Sequence, residues 1–149
     1  MFKIVIGSDR VGYNLKTYLI KVLIERGFRV EDCGPFEAKS VHYPLIALMI
    51  ARKVVAEKNT FGVLVCSTGV GMSIAANKVR GARAANCTST HLAVQSRAHN
   101  DANILCLGSS ITKPSNALRI VENFINAAFE GGKHMVRVQM LNEGIHECR

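Results

Sequence analysis

Tryptophan is absent from the 149 residues, and the aromatic complement is only six Phe and three Tyr. These few rings do not interleave with the cationic residues, so the chain lacks the base-stacking platform that single-stranded nucleic acids use. Long apolar runs are missing too. None approaches the roughly 18 residues that suggest a membrane span, and the N-terminal "MFKIVIGSDR" is broken at Asp9 and Arg10 before it reaches the length of a signal-peptide core. The expectation is a soluble, cytoplasmic protein with no membrane partner. There is no C-x-x-C and no H-E-x-x-H, and the five cysteines, at 33, 66, 87, 106 and 148, are odd in number and far apart. That excludes a disulfide framework and a structural zinc site. Without a secretory signal, the "NCT" at Asn86 is a chance match to a glycosylation acceptor.

What is present is apolar for its size. Hydrophobic residues make up 48% of the chain, more than a body so poor in aromatics needs, and this points to surface covered by a second subunit. A homo-oligomer is the expected cover. The net charge of +8 admits a nucleic acid, an acidic membrane surface or an anionic small substrate. The 19 Lys and Arg residues are scattered singly and in pairs with no basic tail, as on a solvated surface, so a nucleic-acid partner rests on net charge alone.

Short apolar runs alternate with amphipathic stretches. "FKIVIG" (2–7), "FRVEDCG" (28–34), "FGVLVC" (61–66), "ARAANC" (82–87) and "NILCLG" (103–108) read as strands, three of them nearly continuous apolar runs of the buried parallel kind. Leu15, Tyr18, Leu19, Val22 and Leu23 keep helical spacing, as do Ala117, Leu118, Val121, Phe124, Ile125 and Ala128. Pro44 suits the first turn of another helix, carrying Leu45, Leu48, Met49 and Val55. No linker or repeat interrupts the pattern. Strand and helix alternating about five times predict a Rossmann-like three-layer α/β/α sandwich with a five-stranded parallel sheet. Gly131 and Gly132 read as the C-cap of the long helix, before a C-terminal helical extension in which Lys133 and Arg137 lie four apart.

In such sheets ligands bind beyond the carboxyl ends of the strands. Asp9 and Arg10 follow the first strand and Cys66 to Gly71 the third, so both loops face one crevice. The loop "CSTGVGMS" has Met72 where a C-x5-R phosphatase needs arginine and Ile74 where a dinucleotide fingerprint needs glycine, and it carries no G-K-[ST]. What remains is a nest of backbone N–H groups leading into a helix, with a thiol at its edge that can serve as base or nucleophile. Cys66 is either that catalyst or a small core residue like Cys106. His99, in the polar stretch "SRAHNDAN" (96–103) taken as a connector, is either a second functional group or a solvated one. Lys133, His134 and Arg137 are either a phosphate site or a charged surface.

Taken together, "IGSDRVGYNLK" (6–16), "CSTGVGMSIAANKVRG" (66–81), "SRAHNDANILCLG" (96–108) and "FEGGKHMVR" (129–137) resemble the ribose-5-phosphate isomerase B family, grouped with the galactose-6-phosphate isomerase subunits. The resemblance implies one sugar-phosphate isomerase domain over residues 1–149. It would interconvert D-ribose 5-phosphate and D-ribulose 5-phosphate without metal or organic cofactor, in a homodimer or homotetramer with sites between subunits. By the same resemblance His99 opens the sugar ring with Asp9 and Asn100 nearby. Cys66 moves a proton between C2 and C1 through an enediolate, and the amides of Ser67, Thr68, Gly69, Val70 and Gly71 hold the oxyanion with help from the Thr68 side chain. Tyr43 lines the sugar site, and Arg10, Lys133, His134 and Arg137 surround the phosphate. Met72 stands where another branch has a catalytic glutamate and cannot accept a proton, which favours Cys66. Arg10 replaces a usual histidine, Lys133 a usual arginine and Ser67 a usual glycine. The serine is expected to narrow the pocket or to strain the backbone. A hexose 6-phosphate substrate and a non-catalytic sugar-phosphate regulator are the alternatives.

Overall fold

The computed structural model describes residues 2–143. Cys148 and the rest of 144–149 lie outside the described residues. The elements run β1 (Lys3–Ser8), α1 (Tyr13–Glu25), β2 (Arg29–Asp32), α2 (Tyr43–Ala56), β3 (Thr60–Cys66), α3 (Val70–Ala76), β4 (Ala84–Asn86), α4 (Thr90–Asn100), β5 (Ile104–Gly108), α5 (Pro114–Asn126) and α6 (Lys133–Glu143). The strands form one parallel sheet in the order β2-β1-β3-β5-β4. The three apolar runs are its centre. Every residue of β3 and β5 is buried, and so is all of β1 but Lys3, whereas the edge strands β2 and β4 are only half-buried.

Two cores follow from the alternation of side chains along the strands. On one face Ile4, Ile6, Val63, Val65, Leu105 and Leu107 meet Leu15 and Leu19 of α1, Ala93 of α4 and Phe124 of α5. On the other, Val5, Leu64, Ile104 and Cys106 meet Ile50 and Val54 of α2 and Met72 and Ala76 of α3. The sandwich and the five-stranded parallel sheet are as the sequence predicts.

Two local expectations are corrected, and α2 shows which of its faces meets the sheet. The stretch 96–100 is the end of α4 rather than a connector, and Asp101 closes that helix in the left-handed region at φ 45°. Helix α5 ends at Asn126, so Gly131 and Gly132, both at positive φ, do not cap it but turn the chain into α6. In α2 the buried residues are Ala47, Ile50, Ala51 and Val54, leaving Leu45, Met49 and Val55 exposed. Ala47 and Ala51 let this helix approach the sheet, Ile50 and Val54 fill the core between them, and Leu45, Met49 and Val55 point outward.

Candidate active site

The order β2-β1-β3 reverses direction between β1 and β3, and at such a switch point the loops leave in opposite directions and open a crevice at the carboxyl edge. Ser8 pairs with Val65 across the gap, and Asp9 N–H donates to the Val65 carbonyl at 3.1 Å. Asp9 and the Cys66 loop are therefore neighbours. One carboxylate oxygen of Asp9 accepts from Gly12 N–H at 2.8 Å, which fixes the acid at the entrance to α1. Arg10 beside it is exposed. Tyr43 opens α2 with its ring against Gly71, so closely that a Cβ there would lie 2.7 Å from it.

Cys66 ends β3 and is only 6% exposed, so the thiol forms the floor of the loop rather than its rim. Its Sγ accepts from Gly69 N–H at 3.1 Å. Gly69 sits at φ +81°, where L side chains are strained, and swings the amide back over the sulfur. Val70 N–H turns to the Thr68 hydroxyl at 3.4 Å. Two of the five amides expected at an oxyanion are thus engaged within the loop. Gly71 and Met72 lie in the first turn of α3, where N–H groups have no intrahelical partner. Helix α3 is only seven residues long, so the loop's polarity is that of individual amides more than of a helix dipole. Met72 is fully buried.

Of the two effects expected of Ser67, the strained backbone is not found. Its φ is not positive, so no glycine-like backbone is demanded, and its hydroxyl pairs with the Ser110 hydroxyl at 2.8 Å. Ser110 N–H donates to the Ser67 carbonyl and Ser109 N–H to the Cys66 carbonyl, at 3.0 and 2.8 Å. The side chain is tied to the β5–α5 loop.

The remaining predicted residues form a second group. Helix α4 returns from the carboxyl end of β4 to the amino end of β5, carrying His99 and Asn100 with it. The Asn100 carbonyl accepts from Arg83 Nε at 3.2 Å, just before β4 begins, and Asn100 lines an open cavity of about 450 Å³ with Asn77, Arg83 and Leu141. The register places Gly62 opposite Ile104 and Cys66 opposite Gly108. Four strand steps, about 13 Å along the sheet, thus lie between the two edges. Asp9, Arg10, Tyr43 and residues 66–71 belong to the carboxyl edge, whereas His99 and Asn100 belong to the amino edge.

Helix α6 joins this second group. Glu130 N–H donates to the Ala98 carbonyl at 3.0 Å, and the His134 ring stacks on His99 with centroids 4.3 Å apart and planes 9° from parallel. Glu130 Oε2 lies 3.6 Å from Nε2 of each ring. Burial, and then the neighbouring His99, push the His134 imidazole below its ordinary value of 6.5, against the pull of Glu130. Lys133 and Arg137 are exposed on the same helix. His99, Glu130 and His134 could be read as metal ligands, since their donor atoms lie within 4.8 Å of one another. The stacking argues against it: imidazole lone pairs lie in the ring planes, and two nearly parallel planes do not converge on one ion at the ~2.0–2.1 Å of a metal–nitrogen bond.

Sequence reasoning missed Asn86, Ser110, Glu130 and the Lys16–Asp32 pair. Lys16 is fully buried, with Nζ 2.7 Å from Asp32 Oδ1 and 2.6 Å from the Pro35 carbonyl. Glu130 and Lys16 carried a signal, as parts of "FEGGKHMVR" and "IGSDRVGYNLK".

Comparison with known proteins gives the family and the fold. The profile of the Ribose/Galactose Isomerase family matches residues 4–141. The chain is 41% identical over 141 residues to ribose-5-phosphate isomerase B of Escherichia coli (strain K12), covering 95% of each. The ribose-5-phosphate isomerase B structure from Clostridium thermocellum superposes with a TM-score of 0.92 at 46% identity, covering 95% of this chain and 96% of that one. The Mycoplasma genitalium enzyme with bound ribulose-5-phosphate gives 0.91 at 39%, covering 95% of each. A family match over residues 4–141, identities of 41% and 46% and a fold shared over nearly the whole length place this chain in the ribose/galactose isomerase family.

Proposed function

We propose that the chain interconverts D-ribose 5-phosphate and D-ribulose 5-phosphate as a single catalytic domain, in a homo-oligomer whose active sites form between copies. Cys66 takes the proton from one of the two carbons C1 and C2 and returns it to the other. The charge that develops on the enediolate oxygen is met by main-chain donors of the 67–71 loop, assisted by the Thr68 hydroxyl. Those donors act where charge appears in the transition state, so they lower the barrier more than they tighten binding. His99, with Asn100 beside it, supplies the ring-opening proton. Asp9 stands at the sugar, Tyr43 walls the crevice, and Arg10, Lys133, His134 and Arg137 hold the phosphate. This proton transfer needs no redox cofactor, because the oxidation of C2 from alcohol to carbonyl is balanced by the reduction of C1 from aldehyde to alcohol.

The observation that carries the assembly is the separation of the two groups. One copy holds thiol and imidazole at opposite edges of its sheet, so a second copy must bring His99 and α6 to the carboxyl edge of the first. Exposed apolar side chains lie where such contact is needed: Leu45 at 65% and Met49 at 41% on α2, Met135 at 61% and Val136 at 62% on α6. No described helix is long and apolar enough to cross a membrane. The free thiols of Cys33, Cys66, Cys87 and Cys106 suit a reducing compartment and support a cytoplasmic location.

Subunit mixing tests this. Cys66→Ala and His99→Asn, each impaired alone on ribose 5-phosphate, are unfolded together, refolded and assayed. If sites are shared, random pairing restores about a quarter of wild-type activity, because half the dimers are hybrids with one intact site of two. No recovery in verified hybrids would refute sharing. Parallel assays with allose and galactose 6-phosphates settle the sugar, since one extra carbon changes binding modestly.

A further inference from the structure

Asn86 ends the edge strand β4 opposite Cys106, one strand beyond the neighbour of β3. Its carboxamide reaches under the catalytic loop, and Nδ2 donates to the Thr68 carbonyl at 3.2 Å. The contact is tight: a Cβ on Gly69 would lie 2.3 Å from Asn86 Oδ1 and 3.1 Å from the Leu107 carbonyl carbon. The orientation of the amide is fixed by its partner, because exchanging Oδ1 and Nδ2 would set two acceptors face to face. Oδ1 is itself buried, with no hydrogen-bond partner among the described residues. An unpaired buried acceptor is costly, and its retention calls for a reason.

The Thr68 carbonyl and the Gly69 N–H belong to one peptide unit. The only cis bond among the described residues is Gly34–Pro35, so this unit is trans and its oxygen and hydrogen point in opposite directions. Asn86 therefore holds the peptide from one side while its N–H donates to Cys66 Sγ from the other. Hydrogen bonds linked through a peptide polarise one another, so a donor on the carbonyl strengthens the N–H as a donor.

We propose that Asn86 is a positioning residue for Cys66, aiming the Gly69 amide at the sulfur through the Thr68–Gly69 peptide. It touches neither substrate nor reacting carbon. Its effect on turnover rests on the thiol's role proposed above, whereas its effect on the thiol itself does not.

The test uses the full-length protein with Asn86→Leu, Asn86→Ala and Asn86→Asp. Leu and Ala remove the donor, and Asp sets a carboxylate against the Thr68 carbonyl. Two quantities are read: the rate at which iodoacetamide alkylates Cys66, followed on the Cys66 peptide by mass spectrometry, and kcat and KM on ribose 5-phosphate. Burial pushes the Cys33, Cys87 and Cys106 thiols up, and Cys106 well above the ordinary value of 9.0, so these sites react slowly at neutral pH. Loss of the donor slows alkylation and lowers kcat by about three- to tenfold with KM within about twofold, and Asp has the larger effect. Circular dichroism identifies the folded variants, and any one of the three suffices. Alkylation within twofold of wild type in a folded variant overturns the proposal. If alkylation slows while kcat holds, the thiol reading fails and the positioning stands.

Discussion

Replacing Asp32 by alanine should cost this protein more than replacing its partner Lys16 by methionine, although the lysine is the more deeply buried of the two. Asp32 Oδ1 accepts from both Lys16 Nζ and Gly34 N–H, at 2.7 and 2.8 Å. Asp32→Ala therefore strands an ammonium whose side chain is 0% exposed, with the Pro35 carbonyl as its remaining hydrogen-bonded partner. Breaking a buried pair from one side costs about 3–5 kcal/mol, and the 31% exposure of Asp32 together with the surviving carbonyl sets the expectation at the low end, about 3 kcal/mol. Lys16→Met removes the buried charge, fills similar volume and leaves a carboxylate that water can reach, for about 1 kcal/mol. For a chain of this size those figures are a fall in Tm of about 6–12 °C against about 2–4 °C. The double variant should be more stable than Asp32→Ala alone. Thermal and urea unfolding, at one fixed protein concentration so that any assembly weighs equally on every variant, read the order directly. Lys16→Met as damaging as Asp32→Ala, or a double variant worse than either, would refute the account of a stranded charge.

Two further outcomes concern the site. Cys66→Ala should still bind ribose 5-phosphate yet lose turnover and the exchange of deuterium at C2, followed by NMR, and undiminished exchange would remove the thiol from the mechanism. His99→Asn should be impaired far more on cyclic ribose 5-phosphate than in exchange starting from acyclic ribulose 5-phosphate; equal impairment would count against a ring-opening acid. The third outcome is a pH dependence of stability. Because burial lowers the His134 value from 6.5, the unfolded chain binds that proton more readily than the folded one. The contribution of His134 is complete above pH 6.5 and is lost as pH falls below it. His134→Gln should flatten the decline in urea midpoint between pH 7.5 and 5.5. Glu31, held low by Lys53 and Lys3, acts in a lower window, below its ordinary 4.5.

The sheet was legible in the sequence because its three central strands carry their own evidence. Residues 61–66 and 103–108 are apolar without alternation, which only burial on both faces explains. The edge strands left weaker traces, and only Ala84–Asn86 of the expected 82–87 pairs. Helix α2 was legible as a helix, but the direction each of its apolar residues faces was not. Leu45 and Met49 face outward while Ile50 and Val54 face the core, and a hydrophobic pattern records burial without saying whether the chain's own core or another copy provides it. The split of the site had a signal that went unused. In a right-handed crossover every helix ends at the amino edge of the sheet, so a histidine in the last turn of α4 could never have reached a cysteine at the end of β3. Asn86 had none: a polar residue at the end of a short strand looks like any exposed position until a loop 18 residues earlier in the chain folds across it.

The distance between thiol and imidazole has a consequence for the life of the protein in the cell. If the site is shared as proposed, a newly made chain, correctly folded but solitary, is an inert half-tool. On the shared-site proposal it becomes an enzyme on meeting a sibling, so output should rise faster than in proportion to the number of chains when these are scarce, and a copy lacking one of the two groups takes one site from the pair it joins.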